Sequence, residues 1–395
     1  MTTLPAELVD TILDIIATNG DLQTLGICAL VSPDWLTRTR FHMFSKLKLT
    51  PIRAKGFAEL VLAPNCTFSN MVEQVVLGHF GCGGCEQQGG VPLQDVVPLL
   101  RTLIRVSVLR FENTDWTTIP PPQQSAIVKN FAHISSVQAL HLDNATFHDL
   151  RDVVRLCATF PRLNHLGAQI HFTKYTEHAI AAALSLQLPA SLRTIELGTH
   201  DSIAVILSCL AKNALKTTIQ SLSLQNLSFA QVHYVQNALD ALGSNLRHLI
   251  LGFSQRKYEV AGIAPWPAYQ PEGTSPCFED IEKSRPNPSP ITTLATTTAI
   301  PNFMEQLSSR HIEVLEIQLP IRGVGDLEAI EWHRVQDVLL GGRFPNVKNA
   351  VVDIQLVSEV QAPLLGLHEV KRDVQKVLVT QMGLLNKKGM LRIQI

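Results

Sequence analysis

A short apolar pattern recurs along most of the chain and constrains the fold more than any other feature. An aliphatic residue is followed, after two variable positions, by a second one and, after one more variable position, by a third. Leu192, Ile195 and Leu197 form a clean copy. The alternation in each copy is typical of a short strand that turns one face inward. The other copies begin at Phe44, Val72, Val106, Val137, Leu163, Ile219, Leu246, Ile312 and Val347.

The spacing of these copies indicates a repeat. Their middle residues lie 26 to 35 positions apart, except for one step of 66 between Leu249 and Leu315. Intervening stretches, such as 122–131 and 231–242, have helical spacing of apolar residues. One strand and one helix per period of this length are the signature of a leucine-rich-repeat solenoid. In such a fold no unit buries its apolar face alone, so neighbouring units stack into a continuous core.

Two α/β arrangements fit this pattern. Leucine-rich repeats place a polar residue shortly after the strand, and Asn113, Asn144 and Asn226 follow their copies by two positions. The other copies lack an equivalent and the units are long, so we expect an irregular solenoid. A compact α/β domain with a mainly parallel sheet is the alternative.

The first 45 residues follow a different pattern, which predicts three short amphipathic helices. Pro5 suits the first turn of a helix, and Asn19-Gly20 suits its end. Asp21 and Ser32 can cap the second and third helices. A unit of roughly forty residues buries little apolar surface, so we expect it to dock on another surface. An ordinary helical cap on the domain behind it is the alternative.

This stretch resembles an F-box. The resemblance is carried by Leu4-Pro5, Glu7-Leu8, Ile12, the step from Asp21-Leu22 to Leu25, and the run from Val31 to Trp35. It implies binding to the Skp adaptor and, through it, to a cullin scaffold, with the rest of the chain selecting an unknown substrate protein for ubiquitin transfer. The residues that we expect at the adaptor interface or in its supporting core are Leu4, Pro5, Leu8, Ile12, Leu30, Val31, Pro33 and Trp35.

The predicted organisation is therefore an F-box-like helical module at 1–45 and an irregular leucine-rich-repeat-like domain at 46–395. The long step contains a proline-rich insertion at about 255–301, which we interpret as a surface loop that is either tolerated or contacts substrate. A helix and a last strand at about 359–395 are predicted to cap the final repeat.

Composition narrows the compartment and the partners. Lys and Arg total 33 against 34 Asp and Glu, which argues against binding nucleic acid through bulk positive charge. The 7 cysteines are odd in number and scattered, which favours a reducing compartment. Neither a signal peptide nor an apolar run of membrane-spanning length is found, so we expect an intracellular protein, in cytoplasm or nucleus, without membrane contact.

One stretch invites a chemical interpretation. Cys82 and Cys85 have the spacing of a redox dithiol or of two zinc ligands, and Cys66 and His79 are the nearest residues that could complete a zinc site. The pair lies in a glycine-rich run, which favours a plain loop. Neither a nucleophile elbow nor a phosphate-binding loop is found in the sequence. We therefore expect no enzymatic activity and no cofactor.

Three functions follow, in order of preference. The first is a substrate-recognition subunit of a Skp–cullin–F-box ubiquitin ligase. The second is a repeat scaffold or binding protein that contacts no ligase component. The third is a small thiol or metal enzyme that uses Cys82 and Cys85.

Overall fold

The computed structural model describes residues 5–64, 66–81, 90–173, 188–213, 218–253, 293–321, 324–356 and 367–395. The chain divides into two compact units, Met1–Ile195 and Glu196–Ile395. Strand β6, Thr194–Leu197, contains the boundary between them. In the part of the chain that the structure describes, no helix is both long enough and apolar enough to cross a membrane.

The first unit begins with three helices and continues with alternating strands and helices. Its helices are α1 Ala6–Thr18, α2 Leu22–Val31, α3 Pro33–Phe44, α4 Ala54–Val61, α5 Leu93–Val96, α6 Pro121–Phe131 and α7 Leu150–Ala158. Its strands are β1 Lys46–Leu49, β2 Gln74–Gly78, β3 Val108–Glu112, β4 Ala139–Phe147 and β5 His165–Phe172.

The second unit repeats the alternation. Its helices are α8 His200–Asn213, α9 Val232–Leu242, α10 Thr293–Gln306, α11 Val324–Glu328, α12 Trp332–Leu340, α13 Leu367–Gln381 and α14 Gly383–Lys387. Its strands after β6 are β7 Ser221–Leu227, β8 His248–Phe253, β9 Val314–Ile321, β10 Asn349–Leu356 and β11 Leu391–Gln394.

The strand register confirms the apolar repeat. From β1 to β5, neighbouring strands in the sequence pair in parallel, and the middle residues of successive copies stand opposite one another. This is the arrangement that stacked strand–helix repeats predict. The aligned residues are Leu47, Val75, Leu109, Leu140 and Leu166 in the first unit, and Leu222, Leu249, Leu315 and Ala350 in the second.

Buried aromatic side chains tie β3 to the helix that follows it. In the first unit, the ring of Phe111 on β3 meets that of Phe131 on α6 edge-on, with centroids 5.8 Å apart. Trp116 lies against both Phe111 and Phe147 and is almost fully buried. Large aromatic side chains fill the space between the sheet and the helices, and such pairs add to the free energy of apolar burial.

The asparagines that follow the strands have a conformational role. Asn113, Asn144 and Asn226 all adopt the left-handed backbone region, with φ of 49°, 51° and 56°. Asn144 is the extra residue at a register shift between β4 and β5, and its side-chain amide donates to Asn113 Oδ1 at 2.7 Å. Asparagine tolerates this region better than most residues because its short polar side chain can bond locally.

The equivalent position after β2 is His79, with φ of 62°. Its backbone N–H donates to the carbonyl of Glu112, as that of Asn113 donates to Asp143. His79, which the sequence grouped with possible zinc ligands, is therefore placed as a turn residue of the repeat. In three of the other copies the strand continues through the corresponding position, and Ile170, Leu319 and Ile354 are buried there.

Three helices are found at the N-terminus, as the sequence predicts. Pro5 precedes α1, the Asp21 carboxylate accepts from the Thr24 N–H at 2.9 Å, and the Ser32 hydroxyl accepts from the Asp34 N–H at 3.3 Å. These bonds satisfy backbone donors that a helix start leaves free. Phe44 departs from the pattern, because it ends α3 and stacks on Phe68 with centroids 5.4 Å apart.

The predicted insertion at 255–301 is wrong at its C-terminal end. Residues 293–301 belong to helix α10, and Pro301 lies inside it. The spacing of Ile300, Phe303 and Met304 places three buried side chains on one face, and their packing outweighs the unfavourable proline. Residues 255–292 lie outside the described part of the chain.

The later part of the predicted C-terminal segment is described by the structure. The predicted helix corresponds to α13 and α14, and the predicted last strand is β11, which pairs in parallel with β10. The sequence placed the start of this helix at Glu359, in a stretch outside the described residues.

Replacing Asn144 tests whether its backbone conformation holds the register of β4 and β5. Asn144→Val should lower the free energy of unfolding by about 1–3 kcal/mol, because a β-branched residue is strained in the left-handed region. Asn144→Gly should lower it less, since glycine adopts this region without strain. Denaturant unfolding of the two variants measures the difference, and equal losses would contradict this role.

Candidate protein-interaction surfaces

The three N-terminal helices enclose a very small core. Trp35 and Met43 from α3 are half-buried and pack against it. A core of this size leaves most apolar side chains of the helices on the outside. Its buried members are Val9, Leu13, Leu25 and Cys28.

The outward faces of α1 and α2 are unusually apolar. Of the 14 large hydrophobic side chains that are exposed in the described residues, 7 lie between Leu8 and Val31. Leu30 is the most exposed, at 88%. Scattered exposed aliphatic residues are ordinary, but such a concentration is typical of an interaction surface. The α1 stripe contains Leu8, Ile12 and Ile15, and α2 carries Leu22, Ile27, Leu30 and Val31.

Seven of the eight predicted adaptor-binding residues are described, and they divide into two groups. Trp35 faces the small core, so its side chain supports the module rather than presenting an open contact. Leu4 lies outside the described residues. The remaining six are exposed: Pro5, Leu8, Ile12, Leu30, Val31 and Pro33.

An ionic cluster fastens α1 to α3. Asp14 Oδ1 accepts from Arg38 Nε at 2.8 Å and lies 2.6 Å from His42 Nε2, while Asp14 Oδ2 accepts from Arg38 at 2.7 Å. The bidentate arrangement fixes orientation as well as distance. Hydrogen bonds from Arg38 and then from His42 lower the pKa of Asp14 from its usual 3.8 to about 2. We call Asp14, Arg38 and His42 the α1–α3 clamp.

The module joins the repeat without a linker. Helix α3 ends at Phe44 and β1 begins at Lys46, so a single residue separates them. The carbonyl of that residue, Ser45, accepts from the N–H groups of Glu73 and Gln74 at 2.8 and 2.9 Å. These bonds tie the junction to the start of β2.

Outward side chains on the strands of the first unit form ion pairs. Lys48 on β1 reaches across β2 to Glu112 on β3, with 2.5 Å between Nζ and Oε2. It passes Gly78, where an added Cβ would lie 3.7 Å from Lys48 Cε. Arg110 pairs with Asp143 on the next strand at 2.6 Å.

In the second unit, amide side chains form a hydrogen bond that crosses an intervening strand. Gln225 on β7 donates to Gln318 Oε1 on β9 at 2.6 Å and thereby crosses β8. It lies directly over Gly252, where an added Cβ would be only 2.1 Å from Gln225 Oε1. Gln318 donates in turn to Glu316 at 2.5 Å. Gly252 makes this crossing possible, because any larger residue there would collide with the Gln225 side chain. We call Gln225, Gln318 and Glu316 the amide row.

Thiol chemistry receives no support from the cysteines whose surroundings are described. Cys157 is fully buried, and burial raises its pKa to about 12, so that its reactive thiolate is scarce near neutral pH. Cys82 and Cys85 lie outside the described residues, and the zinc and redox interpretations stay predictions.

Sequence reasoning did not find the α1–α3 clamp or the amide row. Both join residues far apart in the sequence, by 24 and 28 positions in the clamp and by 93 in the bond between the two glutamines. The sequence carries one local sign of side chains that cross a neighbouring strand. Glycines at 78 and 252, which Lys48 and Gln225 pass over, directly follow the last residue of their apolar copies.

Comparisons with known proteins find no match in sequence and a distant likeness in structure. No family model matches the chain, and no curated protein matches its sequence. Among solved structures, the chain is similar to the leucine-rich repeat-containing protein LegL7 from Legionella pneumophila, at 11% identity and a TM-score of 0.48. The superposition covers 87% of this chain and 94% of that one. The fold description therefore rests on the strand register of the chain itself.

The α1–α3 clamp predicts a pH-dependent loss of order in α1. Because the pKa of Asp14 is depressed on folding, its contribution to stability is present above about pH 4 and is lost as pH falls through the folded pKa near 2. Asp14→Asn should therefore speed amide exchange in α1 at pH 5 relative to the wild type. The ratio of the two exchange rates should approach one near pH 2.

Glu7→Gln provides the matched control, since Glu7 lies on the same helix outside the clamp. A ratio that does not change between pH 5 and pH 2 would show that the clamp does not hold α1.

Proposed function

We propose that this chain is the substrate-recognition subunit of a Skp–cullin–F-box ubiquitin ligase. In this proposal the N-terminal helices bind the Skp adaptor, and the strand–helix repeats bind a target protein. The chain itself performs no catalysis and needs no cofactor. It acts by holding the target near the ubiquitin-transfer machinery, which the cullin scaffold carries.

The observation that carries the proposal is the concentration of exposed aliphatic side chains on α1 and α2. Each fully buried Leu or Ile side chain contributes about 1.5–3 kcal/mol relative to exposure, so a partner that covers several of them gains substantial free energy. Leu30 and Val31 lie at the C-terminal end of α2, in the stretch that resembles the F-box. They are the strongest candidates for central contacts, because they are the most exposed of these side chains and gain the most free energy when covered.

The short connection between α3 and β1 supports a positioning role. With one residue between helix and strand, and with Ser45 bonded to the start of β2, the module has little freedom relative to the first strands. A substrate bound on those strands would be held at a fixed distance from the adaptor. Rigid placement favours transfer, because it removes much of the entropy cost of bringing two groups together.

A repeat scaffold that binds no ligase component remains the second candidate. The same apolar stripes would then contact a different protein. Both candidates therefore predict that the stripes bind a partner, and only the identity of that partner separates them.

Adaptor binding provides the test. The full chain, co-expressed with the Skp adaptor, should co-purify with it, and replacing Leu30 and Val31 together with alanine should weaken binding by at least about tenfold. Leu30 and Val31 are preferable to Trp35, whose replacement would also open the small core. Binding can be measured by titration calorimetry with purified adaptor.

Leu62→Ala is the matched control, since Leu62 is exposed but lies on the repeat, outside the three helices. It should leave adaptor affinity unchanged. A wild-type chain that does not bind the adaptor would reject the ligase proposal and favour the scaffold.

A further inference from the structure

A surface pocket of the second unit is formed where three consecutive helices lead into the next strands. It is lined by the end of α9 and by the loops that join α9 to β8, α10 to β9 and α12 to β10. Its volume of about 600 Å³ accommodates a small charged group and part of the molecule that carries it. We call it the loop pocket. Its polar side chains are those of Asp240, Ser308, Ser309, Arg310, His311 and Arg343.

Two arginines of the loop pocket have no acidic partner within the chain. Arg310 and Arg343 are exposed, and among the described residues neither guanidinium forms an ion pair or a hydrogen bond. Glu313, the acid nearest to Arg310 in the sequence, is already bound. Lys348 donates to its carboxylate at 2.8 Å and thereby lowers the pKa of Glu313, and Arg247 lies 3.6 Å from it. Arginine stays protonated in proteins, so both positive charges in the pocket are permanent.

The single carboxylate that lines the pocket does not cancel these charges. Asp240 belongs to α9, and its Oδ1 accepts from the side-chain amide of Gln236 at 2.6 Å. In the part of the chain that the structure describes, it forms no ion pair with either arginine. Two arginines against one carboxylate leave the pocket with a net positive charge, which favours an anionic ligand.

The middle loop is held in place from both sides. From α9, Gln236 Oε1 accepts from the Ser308 N–H at 2.8 Å, and Gln236 Nε2 donates to the Ser308 carbonyl at 3.2 Å. From the third loop, the Arg343 carbonyl accepts from the Ser309 N–H at 2.9 Å. A backbone fixed in this way loses little conformational entropy when a ligand binds, which favours affinity.

Neutral donors lie beside the two arginines. Gly341 and Gly342 follow α12 with φ of −80° and 87°. This alternation of sign is typical of a backbone nest, in which successive N–H groups converge on an anion. The N–H groups of Gly342 and Arg343 have no hydrogen-bond partner among the described residues. The Ser309 hydroxyl accepts from the His311 N–H at 3.3 Å and retains its own proton for a ligand.

We propose that the loop pocket binds a phosphate group, with Arg310 and Arg343 as the charge-recognising residues. A phosphate monoester carries nearly two negative charges at neutral pH and three strong acceptor oxygens. Two guanidinium groups match its charge, and the hydroxyl and backbone donors match the remaining oxygens. A free phosphate compound and a phosphorylated serine of a protein present this same group. The inference goes beyond the proposed function, because the pocket lies on the repeats and needs no adaptor.

Titration calorimetry with the full chain tests the site. The ligands are inorganic phosphate and a blocked pentapeptide with one phosphoserine between four glycines, with the unphosphorylated peptide for comparison. The phosphate group should be required for binding. The double variant Arg310→Gln, Arg343→Gln should bind at least about tenfold more weakly, because charge-assisted hydrogen bonds are lost. Binding of the phosphopeptide alone would identify a protein source of the phosphate, and comparable binding of inorganic phosphate would identify a free one.

The double variant Arg247→Gln, Lys348→Gln is the matched control. It removes the same charge from residues that directly precede β8 and β10, where both face Glu313 and lie outside the pocket lining. It should leave the affinity for phosphate unchanged, and thermal unfolding checks that each variant remains folded. Equal weakening by the two double variants would show attraction to bulk positive charge only. That result, or no binding of either phosphate ligand by the wild type, would overturn the inference.

Discussion

The alignment of buried aliphatic residues across successive parallel strands is the constraint on which the rest of the structure depends. Leu140, for example, stands between Leu109 and Leu166 and is fully buried. No strand–helix unit can bury such a residue alone, so each depends on its neighbours. Because strand side chains alternate, fixing the inward residues also fixes which residues point outward. Packing thus places Lys48 within reach of Glu112, and it separately brings the members of the amide row together.

Much of the fold follows from the sequence because this constraint is periodic. All ten apolar copies correspond to strands, and their middle residues identify the register wherever the pairing is described. The errors arise where local composition and tertiary packing disagree. Pro301 and the threonines before it suggest a loop, yet Ile300, Phe303 and Met304 hold the segment as a helix. Local preferences weigh little against several buried side chains.

The candidate surfaces were less predictable than the fold. The spacing of apolar residues identifies the apolar face of a helix. It does not show which of those side chains a neighbouring helix covers. The sequence pattern therefore assigns Trp35 and Leu30 to the same interface, although the structure turns Trp35 inward and leaves Leu30 exposed. The α1–α3 clamp could not be foreseen, since contacts between distant polar residues have no local pattern. Within the amide row, only the Gln225–Gln318 hydrogen bond has a local sign in the sequence, which is the glycine at position 252.

The two kinds of surface differ in what they can contribute to recognition. An apolar stripe such as that of α1 and α2 gains free energy in proportion to the area covered and discriminates weakly among partners of similar shape. A strand face with fixed charges adds less affinity, but it penalises a partner with the wrong charge. The proposed ligase subunit, which would bind one constant protein and select another, needs both properties. In the proposed ligase subunit, apolar helices and polar strand faces would divide these two tasks, so that an outward strand residue could change without disturbing α1 or α2.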